Sequence, residues 1–159
     1  MADEDKKEGK ELLNLLNKAR EYHNYLCDEK EAIKICNKIL KEHPENRDAL
    51  LIKAGSLSEV NKEKESFQLI NKIIEKWPNH WEAYYLMGLL LFNTNEKMAL
   101  ENFYKSIKLK NDFNNLIATA QLLYFLKNSK YKDYLKQARE IDKIRHDNYM
   151  RNFWEWEIC

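Results

Sequence analysis

Two residues with metal-ligating side chains, His23 and Cys27, are spaced four apart near the amino terminus. On a helix this spacing would place imidazole and thiolate on one face, where both could bind zinc. A protein zinc site usually takes further His, Cys or carboxylate ligands, and no second His/Cys pair lies nearby in the sequence. We therefore predict no metal site and no cofactor at this pair.

The motifs of nucleophilic, metal-dependent and phosphate-binding catalysis do not occur in the chain. It has no G-x-S-x-G, no H-E-x-x-H and no glycine-rich phosphate loop. Acidic residues are numerous, but lysines stand three or four positions from them, as Lys34 does from Glu31. This pattern is typical of solvated helix faces. The sequence thus predicts a protein that is not an enzyme and has no catalytic residues.

A stripe of basic residues recurs at i, i+4, i+7 and i+11 in the carboxyl-terminal third: Lys132, Lys136, Arg139 and Lys143. On one helix it could contact RNA or an acidic tail. Acidic residues flank it, however, and no aromatic residue is interleaved on that face for base stacking. The net charge of +1 also implies no general attraction to nucleic acid or membranes. We favour a solvated face, with an RNA-associated factor as the alternative.

The elements that carry these residues are predicted to be helices. The chain has 3 glycines and 2 prolines, fewer than the turns of a β-rich fold require. Pro44 and Pro78 are 34 residues apart, and each follows an amphipathic segment of the same kind. A period of about 34 residues indicates stacked helix–turn–helix units. Three pairs of positions fall in register with the prolines: Ala32 and Ser66, Cys36 and Ile70, Ile39 and Ile73.

The clearest unit covers residues 81–113. Its first helix presents large and small residues on one face, and Gly88 is expected where two helices approach closely. The segment 93–95, Asn-Thr-Asn, interrupts the apolar pattern and predicts a turn. A second helix follows, with one apolar face at i, i+4, i+7 and i+8: Ala99, Phe103, Ser106 and Ile107.

This pattern resembles the tetratricopeptide repeat, and the resemblance covers roughly residues 12–143. It implies an all-α, right-handed solenoid of about four tetratricopeptide-like helical hairpins, with boundaries near Pro44, Pro78, Asn111 and Lys143. Residues 1–11 are predicted to be a disordered, charged amino terminus. Residues 12–159 are predicted to form a single helical repeat domain.

The pattern of residues 147–158 predicts one more helix, with Asp147 as its cap. Tyr149, Phe153 and Trp156 recur on one face, which favours a capping helix over the last hairpin. Trp154 lies off that stripe, so docking on a second copy, as a homo-oligomer, is the alternative.

In the family that the chain resembles, the first helices of the hairpins line a concave groove. The resemblance implies that the following residues face this groove: Leu51, Tyr85, Leu89, Phe92, Leu122 and Phe125. The helix at 83–92 is apolar on every face, and such helices are normally covered all round. We therefore predict a protein-interaction module, a scaffold, adaptor or co-chaperone, that binds an apolar or amphipathic peptide of a protein partner. An auxiliary subunit of an enzyme complex is a further alternative.

The start of the sequence shows no secretory signal. The longest apolar run, residues 83–92, is too short to span a bilayer, which needs about 20 residues. Three cysteines without a C-x-x-C pair, Cys27, Cys36 and Cys159, fit reduced thiols. A cytoplasmic location is predicted.

Overall fold

The computed structural model describes the backbone of residues 2–155 and the side chains of residues 7–152. Within these residues every regular element is a helix, which confirms the predicted all-α class. The chain divides into two compact units, the first ending at Pro78 and the second beginning at Asn79. The sequence predicts a single helical repeat domain over residues 12–159, and this stays a prediction.

The first unit contains two helical hairpins. Its elements are α1 (Ala2–Glu21), a π-helical turn (Tyr22–Leu26), α2 (Glu29–Glu42), α3 (Arg47–Glu59) and α4 (Glu63–Lys76). The second unit contains two hairpins and a final helix. Its elements are α5 (Trp81–Leu91), α6 (Glu96–Leu109), α7 (Phe113–Phe125), α8 (Tyr131–Ile141) and α9 (Lys143–Glu155). Within each unit, every helix packs on the helices that precede and follow it in the chain. The predicted hairpin boundaries near Pro44, Pro78 and Asn111 are confirmed.

Short polar residues fix where several helices begin. The side-chain oxygens of Asn46 and Asn95 accept hydrogen bonds from the backbone N–H of Ala49 and Met98, at 2.9 and 3.1 Å. Asp28 does the same for Glu31 at the start of α2, at 3.1 Å. Each bond satisfies a donor that the helix itself leaves unpaired, and each is worth about 0.5–2 kcal/mol.

The core of the first unit is built from the repeat positions that the sequence singles out. Ile35, Cys36 and Ile39 on α2 pack in one cluster with residues of α1 and α3: Leu16, Ala19, Ala49 and Ile52. Ser66, in register with Ala32, is fully buried. Its hydroxyl donates to the carbonyl of Ala54 at 2.7 Å and so joins α4 to α3.

The core of the second unit surrounds Phe103, which is fully buried between α5 and α7. Ser106, one turn further along α6, donates to the carbonyl of Trp81 at 2.8 Å. Helix α7 is buried along most of its length, from Phe113 to Leu123, with Asn114 and Gln121 as the partly or fully exposed positions.

Helix α9 helps to cover α7, as the predicted capping helix should. Arg145 donates to Asn114 Oδ1 at 2.9 Å, and its guanidinium carbon lies 4.3 Å from the centre of the Phe113 ring. Tyr149 packs in the cluster that contains Phe113 and Ala138. Burial raises the pKa of the Tyr149 hydroxyl to about 12.

The structure differs from the sequence predictions at both ends. Helix α1 begins at Ala2, so most of the segment predicted to be disordered is helical. Lysine and glutamate, the commonest residues there, are good helix formers. Helix α9 begins at Lys143, and Asp142 rather than Asp147 caps it by accepting from the N–H of Arg145 at 2.9 Å. Trp156 lies outside the described residues, and so do the side chains of Phe153 and Trp154.

Candidate functional site

An apolar surface lies on α5 and α7 in the second unit, and we call it the α5–α7 face. It consists of Tyr85 and Leu89 on α5, Phe92 directly after α5, and Phe125 at the end of α7. Leu89 is 41% exposed and Phe125 is 64% exposed, while Tyr85 and Phe92 are half-buried. The rings of Phe92 and Phe125 meet edge to face with centroids 6.0 Å apart, so the two helices contribute to one continuous surface.

Phe103 supports this face from beneath. Its ring centroid lies 6.2 Å from that of Tyr85 and 6.4 Å from that of Phe92. Burial, and to a smaller extent the nearby Asp112 carboxylate, raises the pKa of the Tyr85 hydroxyl. The half-buried rings are therefore held in place by a fully buried one, while Leu89 and Phe125 extend into solvent.

Two residues predicted to face the groove are instead buried. Leu122 is 1% exposed and packs against Ala99, Phe103 and Ala118. Leu51 is 8% exposed, so it too offers little surface to a partner. The register borrowed from the resemblance places Leu122 outward, but the Phe103 ring occupies that side of α7. The exposed part of the predicted set is the α5–α7 face.

Helix α5 is also less covered than its apolar composition predicts. Ala83, Tyr84, Met87 and Gly88 are buried, but Leu89 is exposed. Trp81, which was not among the residues predicted to face the groove, lies beside the α5–α7 face, with its ring centroid 6.5 Å from that of Tyr85. The i, i+4 spacing of Trp81 and Tyr85 could have predicted this position, because residues four apart on a helix lie on the same face.

The basic stripe lies on α8 and the start of α9, and its members lie at the surface: Lys132, Lys136, Arg139 and Lys143. Arg139 Nε is 3.6 Å from Asp147 Oδ1 on α9. A hydrogen bond from His146 chiefly lowers the pKa of the Asp147 carboxyl, with help from Arg139 and Lys143. Part of the positive charge of the stripe is thus matched by a carboxylate of the same unit.

His23 and Cys27 do not form a pair. His23 lies in the π-helical turn, and its Nδ1 is 2.8 Å from Glu29 Oε2 and 3.2 Å from the hydroxyl oxygen of Ser56. Cys27 follows the turn in the left-handed conformation and is exposed.

The three residues His23, Glu29 and Ser56 do not have the geometry of a catalytic triad. A triad histidine contacts the serine and the carboxylate through opposite ring nitrogens. Here both partners approach the same nitrogen, and Ser56 is fully buried. Over the side chains that the structure describes, no three His, Cys, Asp or Glu residues converge as metal ligands. The cluster is therefore a structural link between α2, α3 and the π-helical turn.

Comparison with known proteins by sequence finds no matching family model and no matching curated protein. Comparison by structure finds solved proteins with a similar fold. MamA from Desulfovibrio magneticus RS-1 has a TM-score of 0.65 at 18% identity, over 83% of this chain and 76% of that chain. TTC0263, described as a thermophilic TPR protein in Thermus thermophilus, has a TM-score of 0.74 at 15% identity, over 83% of this chain and 75% of that chain. The chain has a tetratricopeptide-like fold.

The tetratricopeptide-like fold explains which positions are buried. The small or apolar positions of the second helices, such as Ala32, Ser66, Ala99 and Ala138, are all fully buried, as the repeat pattern predicts. No helix among the described residues is long and apolar enough to cross a membrane. The resemblance stated from sequence is thus confirmed at the level of the fold.

Proposed function

We propose that the chain is a non-catalytic protein-interaction module that binds an apolar or amphipathic peptide segment on the α5–α7 face. The observation that carries the proposal is the exposure of Leu89 and Phe125 beside the ring pair Phe92–Phe125. Contiguous exposed apolar surface with polar surroundings commonly marks an interaction site. Aromatic residues are also enriched in the parts of interfaces that contribute most binding energy.

The absence of charged side chains on the α5–α7 face favours an apolar segment over a charged one. Tyr85, Leu89, Phe92 and Phe125 carry no formal charge at neutral pH. A helical segment could present residues at i, i+3 and i+4 to such a face. Scaffold, adaptor and co-chaperone proteins all use this kind of binding.

The free thiols of Cys27 and Cys36 are consistent with the proposed cytoplasmic location.

The test compares two double variants with the wild type. Leu89→Ser with Phe125→Ser removes the exposed part of the face, whereas Leu13→Ser with Ile144→Ser removes two exposed apolar residues elsewhere, 54% and 75% exposed. Both double variants should keep nearly the wild-type melting temperature, because exposed side chains contribute little to folding. Affinity capture followed by mass spectrometry would identify the bound protein, and calorimetry would measure its affinity.

We expect the face variant to lose at least about tenfold in affinity and the control variant to bind normally. Binding should show a negative heat-capacity change and little dependence on salt. Equal binding by both variants would contradict the proposal. A steep salt dependence, lost when Lys132 and Lys136 are replaced by Ser, would instead support the RNA-associated alternative.

A further inference from the structure

A cavity of about 270 Å³ opens in the first unit, between the turn at Pro44 and the carboxyl-terminal half of α4. Leu50, Leu69 and Ile73 line it with apolar side chains, and Trp77 forms one side. Lys72 stands at its rim and is exposed. The lining is therefore mainly apolar, and its charged members are two lysines, Lys72 and Lys76, and one carboxylate, Glu45.

The corresponding place in the next hairpin is filled by an aromatic ring of the chain itself. Leu50 is the fourth residue of α3, and Tyr84 is the fourth residue of α5. Lys72 is the tenth residue of α4, and Lys105 is the tenth residue of α6. In the α5–α6 hairpin, Lys105 Nζ lies 4.3 Å from the centre of the Tyr84 ring, which is 3% exposed. In the α3–α4 hairpin a leucine replaces the ring, and the cavity remains.

We propose that this cavity binds an aromatic side chain of a partner peptide, with an acidic residue next to it in that peptide. The volume suffices, because a cavity of about 150 Å³ already holds benzene. Lys72 would lie over the bound ring as Lys105 lies over Tyr84, a favourable cation–π contact.

The charged side chains around the cavity explain why the peptide should carry an acidic residue next to its aromatic one. Lys76 forms an ion pair with Glu45 and lies 5.2 Å from the centre of the Trp77 ring. Lys72 has no ion-pair partner among the described residues, so its ammonium group is available to a carboxylate of the peptide. The charge at the opening therefore favours an acidic residue.

The site is separate from the α5–α7 face, since all its lining residues belong to the first unit. It also differs in size from the cavity beside Ile39 and Glu42 in the first hairpin, which has a volume of about 30 Å³. That smaller volume holds a water molecule but not a ring.

The probe is the acetylated and amidated pentapeptide Gly-Asp-Trp-Gly-Gly. Two control peptides carry Asn for Asp or Ala for Trp. Methyl NMR of the full chain would follow Leu50, Leu69 and Ile73 during the titration. We expect the Asp-Trp peptide to shift these methyl signals by ring-current effects, the Asn peptide to bind several-fold more weakly, and the Ala peptide to cause no shift.

Two variants separate binding from folding. Leu50→Tyr should fill the cavity, raise the melting temperature by about 2–4 °C and abolish the shifts. Lys72→Met should weaken binding of the Asp-Trp peptide about threefold to tenfold. Lys64 is an exposed lysine earlier on α4, and Lys64→Met should leave the affinity for this peptide unchanged. Equal shifts with the Trp and Ala peptides, no shift with any peptide, or equal effects of the two lysine variants would each overturn the proposal.

Discussion

A Cβ atom on Gly88 would lie 2.4 Å from Cε1 of Phe103 and 2.5 Å from its Cδ1. Helices α5 and α6 therefore meet where α5 has no room for a side chain. The Phe103 ring cannot move away freely, because it also contacts the rings of Tyr85 and Phe92. This relationship connects the core of the second unit to the shape of the α5–α7 face.

Replacing Gly88 should destabilise the protein even with the smallest side chain. Gly88→Ala should lower the free energy of unfolding by about 1–3 kcal/mol by overpacking, and Gly88→Leu by at least as much. The measurement is urea unfolding followed by circular dichroism. Gly9→Ala is the matched control, because a Cβ there meets nothing within 4 Å and alanine favours a helix. A Gly88→Ala variant as stable as wild type would show that the helices separate easily.

Leu122 and Leu89 should respond oppositely to truncation, although both were predicted to face the groove. Leu122→Ala should cost about 2–5 kcal/mol of stability, because the side chain is fully buried beside Phe103. Leu89→Ala should cost less than about 1 kcal/mol, since the residue is largely solvated. Thermal melts of the two variants measure the difference. Similar losses would mean that Leu89 is covered in solution.

The buried thiol of Cys36 should resist alkylation. Burial raises the pKa of this thiol from 9.0 to about 11, so little thiolate is present at neutral pH. In a Cys159→Ser background, iodoacetamide at pH 8 should label exposed Cys27 quickly and Cys36 after denaturation. Mass spectrometry of the labelled peptides gives the two rates. Equal rates would indicate that α2 opens readily.

The same thiol should make stability depend on pH in the alkaline range. Between about pH 9 and 11 the thiol ionises in the unfolded chain but stays protonated in the folded one. The unfolded state then binds fewer protons, so stability falls as pH rises through this range and is unaffected below it. Cys36→Ser should show a shallower fall in urea unfolding at pH 8, 9 and 10. Identical slopes for the two proteins would contradict the expectation.

Removing the cap of α9 should cost more than removing the residue first predicted to cap it. Asp142→Ala loses a hydrogen bond to the N–H of Arg145 and should cost about 0.5–2 kcal/mol. Asp147→Ala loses an exposed ion pair with Arg139 and a part-buried contact with the neighbouring His146, and because the Asp147 carboxylate is half exposed we expect the smaller loss here. Chemical unfolding of both variants measures the two losses of stability. A larger loss for Asp147→Ala than for Asp142→Ala would indicate that Asp147 caps the helix.

The repeat was predictable from sequence because its signals are local. Proline positions, the interval of about 34 residues and the 3.6-residue period predict the hairpins. They also identify Gly88 as a crossing point and Cys36, Ile39 and Ser66 as core residues. The interval compares two hairpins, whereas the apolar faces follow from residues within one hairpin, where helix geometry fixes which side chains share a face.

The surface was harder to predict, because exposure depends on neighbours that the pattern does not specify. Leu122 is covered by Phe103 from the preceding hairpin, and α9 covers the far side of α7. His23 meets Ser56, 33 positions away, across three elements. The cavity beside Leu50 results from a volume difference between two equivalent positions, which the hydrophobic pattern treats as the same.

Within each unit, the packing of every helix on its neighbours in the chain has a consequence for how the protein reaches this structure. Contacts between adjacent elements require only short loops to close, so little chain entropy is lost before each contact forms. Helical proteins with such local contacts fold within microseconds to milliseconds. We expect single hairpins to form early and to serve as templates for the next, with no slow search for distant partners.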